Sequence, residues 1–313
     1  MASEFDDARV FDCFTFFNEI LLLKARVDLL KHVVDRFVIV EGSRTYQGDP
    51  REPVFPSIAG ELELGPSIEY VLVEDFPLGV DAWGREKFQR DAILRGLAGA
   101  GPNDLVVVSD VDEIPRPEVI ASLRHSLEEP VELGMTFSYY SVNLVARGQW
   151  AHARACRRSQ LSSPQSLRRE NGLPRIPDAG WHLSFLGSSD RVAQKLRSFA
   201  HTEYATDRWT SEVHIRRCMR LGVRLFGETV FDVAKDDDCI PTIRRSEQPE
   251  LFHPGRSRLE SLLARAYRIS ASHRDSMPNV LNDRLPVLAF TIALVLHARD
   301  WLRWRLGRRF ARD

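Results

Sequence analysis

The chain has 313 residues, 43% hydrophobic and 28% charged, with a formal net charge of −1. That is an ordinary globular composition, long enough for one large α/β domain with an appendage, and its near-zero charge gives no electrostatic case for nucleic acid. Cys13, Cys156, Cys218 and Cys239 are far apart and form no CxxC pair, which argues against a structural zinc site or a disulfide framework and favours a reducing compartment.

The opening stretch "MASEFDDARVFDCFTFFNE" carries early acidic residues and no apolar core, so no secretory signal is expected there. No segment reaches the roughly 20 apolar residues that a spanning helix needs, and a cytoplasmic location is the expectation. Ile20, Leu23, Val27, Leu30 and Val34 alternate in steps of three and four, predicting an amphipathic helix over 19–35. "FVIVEG" follows as a short buried strand, then a Pro/Gly-rich loop and a second strand, "IEYVLVED". Gly84 to Leu97 predicts a helix, Leu105 to Ser109 a strand, and Pro117 to Leu127 another helix.

"GMTFSYYSVNL" has the period of an antiparallel strand, whereas the basic, polar residues 151–177 predict a long substrate-facing loop. "GWHLSFLG" is strand-like, and "SDRVAQKLRSFA" and "DRWTSEVHIRRCMRLG" are helical; the pattern weakens after Gly222. The alternation predicts an α/β fold with a mostly parallel sheet flanked by helices. We expect a catalytic domain over 1–255 and a helical extension over 256–313. The extension ends in the Arg-rich "HARDWLRWRLGRRFARD", which suits peripheral contact with an anionic membrane; the plainer alternative is a helix docked on the core.

The chemistry concentrates in "DLVVVSDVDEIP", residues 104–115. Ligands of open α/β sheets bind beyond the carboxyl ends of strands, and Asp110 and Asp112 stand at such an end, pointing the same way by strand alternation. Two carboxylates so close repel unless a cation neutralises them. Mg²⁺ or Mn²⁺, sharing its shell with substrate phosphates, meets that need. Alternatively Asp110 caps the next helix and Asp112 with Glu113 forms a solvated turn. Strand-DxD also describes phosphatases with an aspartate nucleophile, which would make Asp110 the attacking group.

Several blocks in one order carry a resemblance. "DCFTFFNEILLLKARVDLLKHVVDRFVIVEGSRTYQGDP", "DLVVVSDVDEIP" and "AGWHLSFLG…QKLRSF" together resemble glycosyltransferase family 17 over about residues 11–227. The resemblance implies a GT-A-like fold, a UDP-sugar donor (UDP-GlcNAc), a glycan acceptor and inversion at the anomeric carbon. It marks Asn18, Glu19, Glu41, Trp83, Arg90, the carboxylates Asp110, Asp112 and Glu113, and Trp181, His182 and Ser184 as site residues.

Within that frame, Asp112 and Asp110 are expected to hold the metal, with His201 completing its shell. Glu41 could hold the uridine or ribose. Arg85 and Arg90 are placed to reach the diphosphate, although residues five apart on a helix do not share a face. Trp83 and Trp181 suit stacking on sugar, or the core. Inversion calls for one general base, for which Glu203, Asp178, His182 and Asp207 are candidates. A non-catalytic sugar-binding module is the further alternative.

Overall fold

The computed structural model describes residue 5 and residues 7–62, 67–226 and 229–271. The strands β1 (Val10–Phe16), β2 (Arg36–Gly42), β3 (Ser67–Val73) and β4 (Leu105–Asp110) pair in parallel, in the order β3-β2-β1-β4. The sheet continues through β7 (Leu144–Arg157), β6 (Val131–Tyr139), β8 (Arg175–Ser184) and β5 (Glu113–Pro115). This second half mixes antiparallel β4–β7, β7–β6 and β8–β5 pairings with a parallel β6–β8 pair, and β9 (Asp232–Val233) adds to β7. The expected α/β fold flanked by helices is present, but the sheet is mixed rather than mostly parallel, with parallel pairing concentrated in its first half.

Helix α1 (Ile20–Leu30) covers one face of the parallel strands and α2 (Ala82–Asp91) the other. Alternation along β1 divides the core. Val10, Phe14 and Phe16 pack with Leu23, Val27 and Leu30 of α1, while Phe11 and Cys13 join Val38, Val40 and Ile93 on the opposite face. Helices α3 (Pro117–Ser126), α4 (Pro164–Arg169), α5 (Ser189–Ser198), α6 (Glu212–Leu221) and α7 (Arg258–Ala271) complete the described elements of interest.

β1 escapes the apolar-run reading because Asp12 interrupts "VFDCFTF", yet the strand is buried along its whole length. Asp12 lies on the α1 face and is paired there. The predicted 151–177 loop is also corrected: it holds the second half of β7, all of α4 and the start of β8. Arg154, Arg157 and Arg168 look like surface residues in sequence, but here they are buried donors. Arg157, for instance, donates to the carbonyls of Asn103, Leu123, Arg124 and Leu127. Two predicted helices are interrupted, the first at Ala92 and the second at Ser211. Gly180 permits β8 to close on β5, since a Cβ there would lie 2.3 Å from the Ile114 carbonyl oxygen.

α7 docks on α6, where Arg220 donates to Glu260 at 2.7 Å. The apolar segment from Leu285 and the Arg-rich tail lie outside the described residues. Among the described residues no helix is long and apolar enough to cross a membrane.

Candidate active site

β4 ends in Asp110, and the chain turns through Val111 and Asp112 into β5. Beneath this turn sits Arg26 of α1, fully buried. Its guanidinium forks onto both carboxylate oxygens of Asp12 at 2.7 and 2.6 Å. It also donates to the carbonyls of Asp110 at 3.0 Å and Glu113 at 2.7 Å, and to the Ser109 hydroxyl at 2.7 Å. One side chain therefore ties the turn to the middle of β1.

The two aspartates expected to act as a pair differ in their surroundings. Asp110 accepts from Thr15 at 3.0 Å, Arg90 at 3.0 Å and Arg168 at 2.6 Å. Burial opposes its charge, but Arg168 and Arg90 outweigh that and hold the carboxyl well below its usual range. So tied, Asp110 is poorly placed as the nucleophile that a phosphatase would need. Glu113 is buried beneath it and accepts from Arg168 at 2.7 and 2.8 Å, from Trp150 and from the Asp110 N–H. Despite burial, Arg168 keeps Glu113 low as well.

Asp112 has fewer partners. Lys195 of α5 donates to it at 2.7 Å, and His182 Nε2 stands 3.7 Å away. Burial is again overcome, here by Lys195 and His182, so this carboxyl also lies far below its ordinary value. The His182 ring is held between Phe137, stacked at 5.0 Å, and Trp150 at 4.4 Å. Its Nδ1 is buried with no hydrogen-bond partner, so Nε2 is the working nitrogen.

These groups open into a cleft of about 920 Å³. One wall carries Phe16, Phe17, Tyr46, Lys87 and Arg90, and the other carries Phe137, Tyr139, Trp150, His152 and Phe226. Arg and Lys outnumber carboxylates along the lining, giving the cleft a positive balance suited to a polyanionic ligand.

Of the residues expected from sequence, Glu19, Trp83, Arg90, Asp110, Asp112, His182, Ser184 and His201 line this cleft. Asn18 lines a neighbouring cavity of about 420 Å³. Glu41 is buried and accepts from Arg51, Tyr70 and the N–H groups of Val54 and Phe55, so it anchors the following loop. Trp181 is buried, with Arg116 4.1 Å over its ring. Arg85 is spent on the carbonyls of Tyr46 and Val80. Asp178 pairs with Arg116 at 2.9 Å, and neither it nor Asp207 lines the cleft. Glu203 is 2.8 Å from His201, which meets Trp83 edge-on at 4.6 Å.

Sequence reasoning missed Arg168 and Lys195, whose basic helices offer no local sign that they meet the carboxylates. It also missed His152, a cleft imidazole whose pKa is lowered by burial and by Arg168, leaving it neutral and able to accept a proton.

Among the described residues no three His, Cys, Asp or Glu side chains cluster as a metal-ligand set. Asp110 is taken up by its donors, and His201 by Glu203. Asp112 with His182 is the part that fits a hard divalent ion. The Asp112 carboxylate is the oxygen ligand that Mg²⁺ and Mn²⁺ favour, and His182 beside it would add one nitrogen, leaving the remaining positions to phosphate oxygens and water.

The charge pairing has a pH signature. A carboxyl depressed in the folded state adds stability above its unfolded value, and that stability is lost as pH falls toward the folded value. Unfolded Asp and Glu titrate near ~3.9 and ~4.3, so the thermal midpoint is expected to drop most steeply below about pH 4. A shallower decline begins near the ordinary histidine value of ~6.5, because His152 is held neutral. Calorimetry from pH 7 downward checks this; a midpoint that stays level well below pH 4 would contradict the pairing.

Comparison with known proteins adds the family. The model of glycosyltransferase family 17 matches residues 2–230. Rat and human β-1,4-mannosyl-glycoprotein 4-β-N-acetylglucosaminyltransferase are each 26% identical over 241 residues, covering 64% of this chain. This chain spans 44% of the length of those relatives. Among solved structures, a glycosyltransferase involved in glycosylation of the major capsid of PBCV-1 aligns with 52% of this chain and 68% of its own, at 14% identity and a TM-score of 0.25. S. aureus TarS 1-349 aligns with 87% and 93%, at 12% identity and a TM-score of 0.35. With its family model matched across most of its length, this chain belongs to glycosyltransferase family 17.

Proposed function

We propose that the chain is a metal-dependent, inverting glycosyltransferase that moves a sugar from a UDP-sugar to a hydroxyl of a glycan or glycolipid. GlcNAc is the sugar we assign, because the related rat and human enzymes are named for its transfer. The observation that carries the reading is Asp112: a carboxylate just past a strand end, with a single hydrogen bond among the described residues, in a cleft of positive balance.

The chain's own groups divide the work. Arg90 and Arg168 clamp Asp110 and so fix the turn that presents Asp112. The wall with Phe16, Phe17, Tyr46 and Arg90 suits the nucleotide. The aromatic wall opposite suits the apolar faces of sugar rings. A divalent ion held at Asp112 and His182 would supply charge neutralisation for the leaving diphosphate. Inversion needs a proton acceptor on the face away from the leaving group. With His182 assigned to the ion beside Asp112, we assign the proton to His152, a cleft imidazole whose pKa is lowered by burial and by Arg168. The four cysteines are buried and no disulfide joins them among the described residues, in keeping with a reducing, cytoplasmic setting; contact with a membrane surface would fall to the basic tail.

Calorimetric titration of UDP with and without Mn²⁺ tests the reading. Metal-dependent UDP binding is expected. Sugar binding that ignores both metal and nucleotide would instead favour a sugar-binding module.

A further inference from the structure

Three cations meet the carboxylates of the turn itself, and they are not held alike. Arg90 donates to Glu86, Asp110 and Gln165. Arg168 donates to Asp110, to both oxygens of Glu113 and to the His152 carbonyl. Planar guanidinium groups so engaged are fixtures of the site. Lys195 makes one hydrogen bond, to Asp112, with Glu19 farther away at 3.6 Å. Its side chain is 28% exposed at the cleft lining, on a flexible four-carbon stem. The least-tethered cation therefore sits on the carboxylate that a divalent ion needs.

Building on the nucleotide-sugar reading, we propose that Lys195 rests on Asp112 as a stand-in cation and transfers to the donor's diphosphate when a divalent ion takes Asp112. The ammonium keeps its charge in both positions. Metal arriving alone must break the Lys195–Asp112 pair and leave the ammonium with Glu19 at longer range. A diphosphate arriving together with the metal offers the ammonium a new anionic partner. Metal and nucleotide then favour each other's binding, by the same factor in each direction. Glu19 lies on the same side of the cleft, its Oε2 held by the N–H groups of Phe17 and Asn18, so its other oxygen can steady the ammonium during transfer.

The test needs no acceptor. Mn²⁺ affinity is measured by electron paramagnetic resonance on the full chain, with and without UDP, for the wild type, Lys195→Met and Lys195→Arg. In the wild type UDP should tighten Mn²⁺ binding on the order of tenfold, within the usual range of coupling between sites. Lys195→Met should bind Mn²⁺ alone more tightly than the wild type, and its UDP enhancement should fall to about threefold or less, since the competing cation and its phosphate contact go together. Lys195→Arg, which keeps a cation, should retain most of the coupling.

Coupling that is unchanged in Lys195→Met, or Mn²⁺ binding without UDP that is no tighter, would overturn the role of Lys195 while leaving the nucleotide reading intact. Absence of Mn²⁺-dependent UDP binding in the wild type would defeat the nucleotide reading itself, and this inference with it.

Discussion

Replacing Arg26 with methionine is expected to destabilise the protein by about 3–5 kcal/mol, the usual result of removing one partner of a buried ion pair. The side chains of Arg26 and Asp12 are 0% and 1% exposed, so neither can turn to water when the other is lost. Methionine fills similar volume but leaves the Asp12 carboxylate unpaired and the Asp110 and Glu113 carbonyls without their donor. Against a total stability of about 5–15 kcal/mol such a loss is large. Lysine keeps the charge yet cannot fork to both sides, so Arg26→Lys should be intermediate. Arg26→Met combined with Asp12→Leu should recover part of the loss, because an apolar pair leaves no stranded charge. Denaturant unfolding measures all three. A loss under about 1 kcal/mol for Arg26→Met would show that the turn does not depend on this pair.

The second large effect is functional. Asp112→Asn keeps the shape of the side chain and removes the anion, so metal-dependent UDP binding should disappear. Charge stabilisation at the leaving group is worth several kcal/mol, which corresponds to a fall in transfer rate on the order of a thousandfold. Stability should fall as well, since the depressed Asp112 carboxyl contributes to it, but by less than for a fully enclosed pair because Lys195 is partly exposed and has Glu19 nearby. Asp110→Asn should behave differently. Arg90 and Arg168 would lose their shared partner inside the site, and the unfolding midpoint should drop further than for Asp112→Asn. Equal melting curves with equal UDP affinity for the two variants would contradict this division of labour.

Much of the architecture could be read from the pattern of apolar runs. β2, β3 and β4 announce themselves as strands, and the position of "DVDE" at a strand end marks where the cleft would open. β1 does not announce itself, because buried Asp12 breaks its apolar run and its partner Arg26 is 14 residues away on another element. The same physics hides β7 and α4: Arg154, Arg157 and Arg168 look like a solvated stretch until their long-range acceptors are known.

Burial also separates residues that the strand-end rule alone cannot. Glu41 ends β2 much as Asp110 ends β4, yet the loop after it folds back and consumes its carboxylate. Trp181 and His182 are neighbours on β8, and strand alternation turns one into the core and the other toward the cleft. Lys195 could not be matched with Asp112 from sequence, since 83 residues separate them and only the docking of α5 brings them together.

On the proposed reading, Asp112 organises a metal-dependent UDP-sugar site. The most direct measurement is a calorimetric titration of UDP-GlcNAc into the full chain with Mn²⁺, repeated with chelator and with Asp112→Asn. Saturable binding with Mn²⁺ that is lost in both controls is expected. Binding of UDP-GlcNAc that survives chelator and Asp112→Asn alike would contradict it.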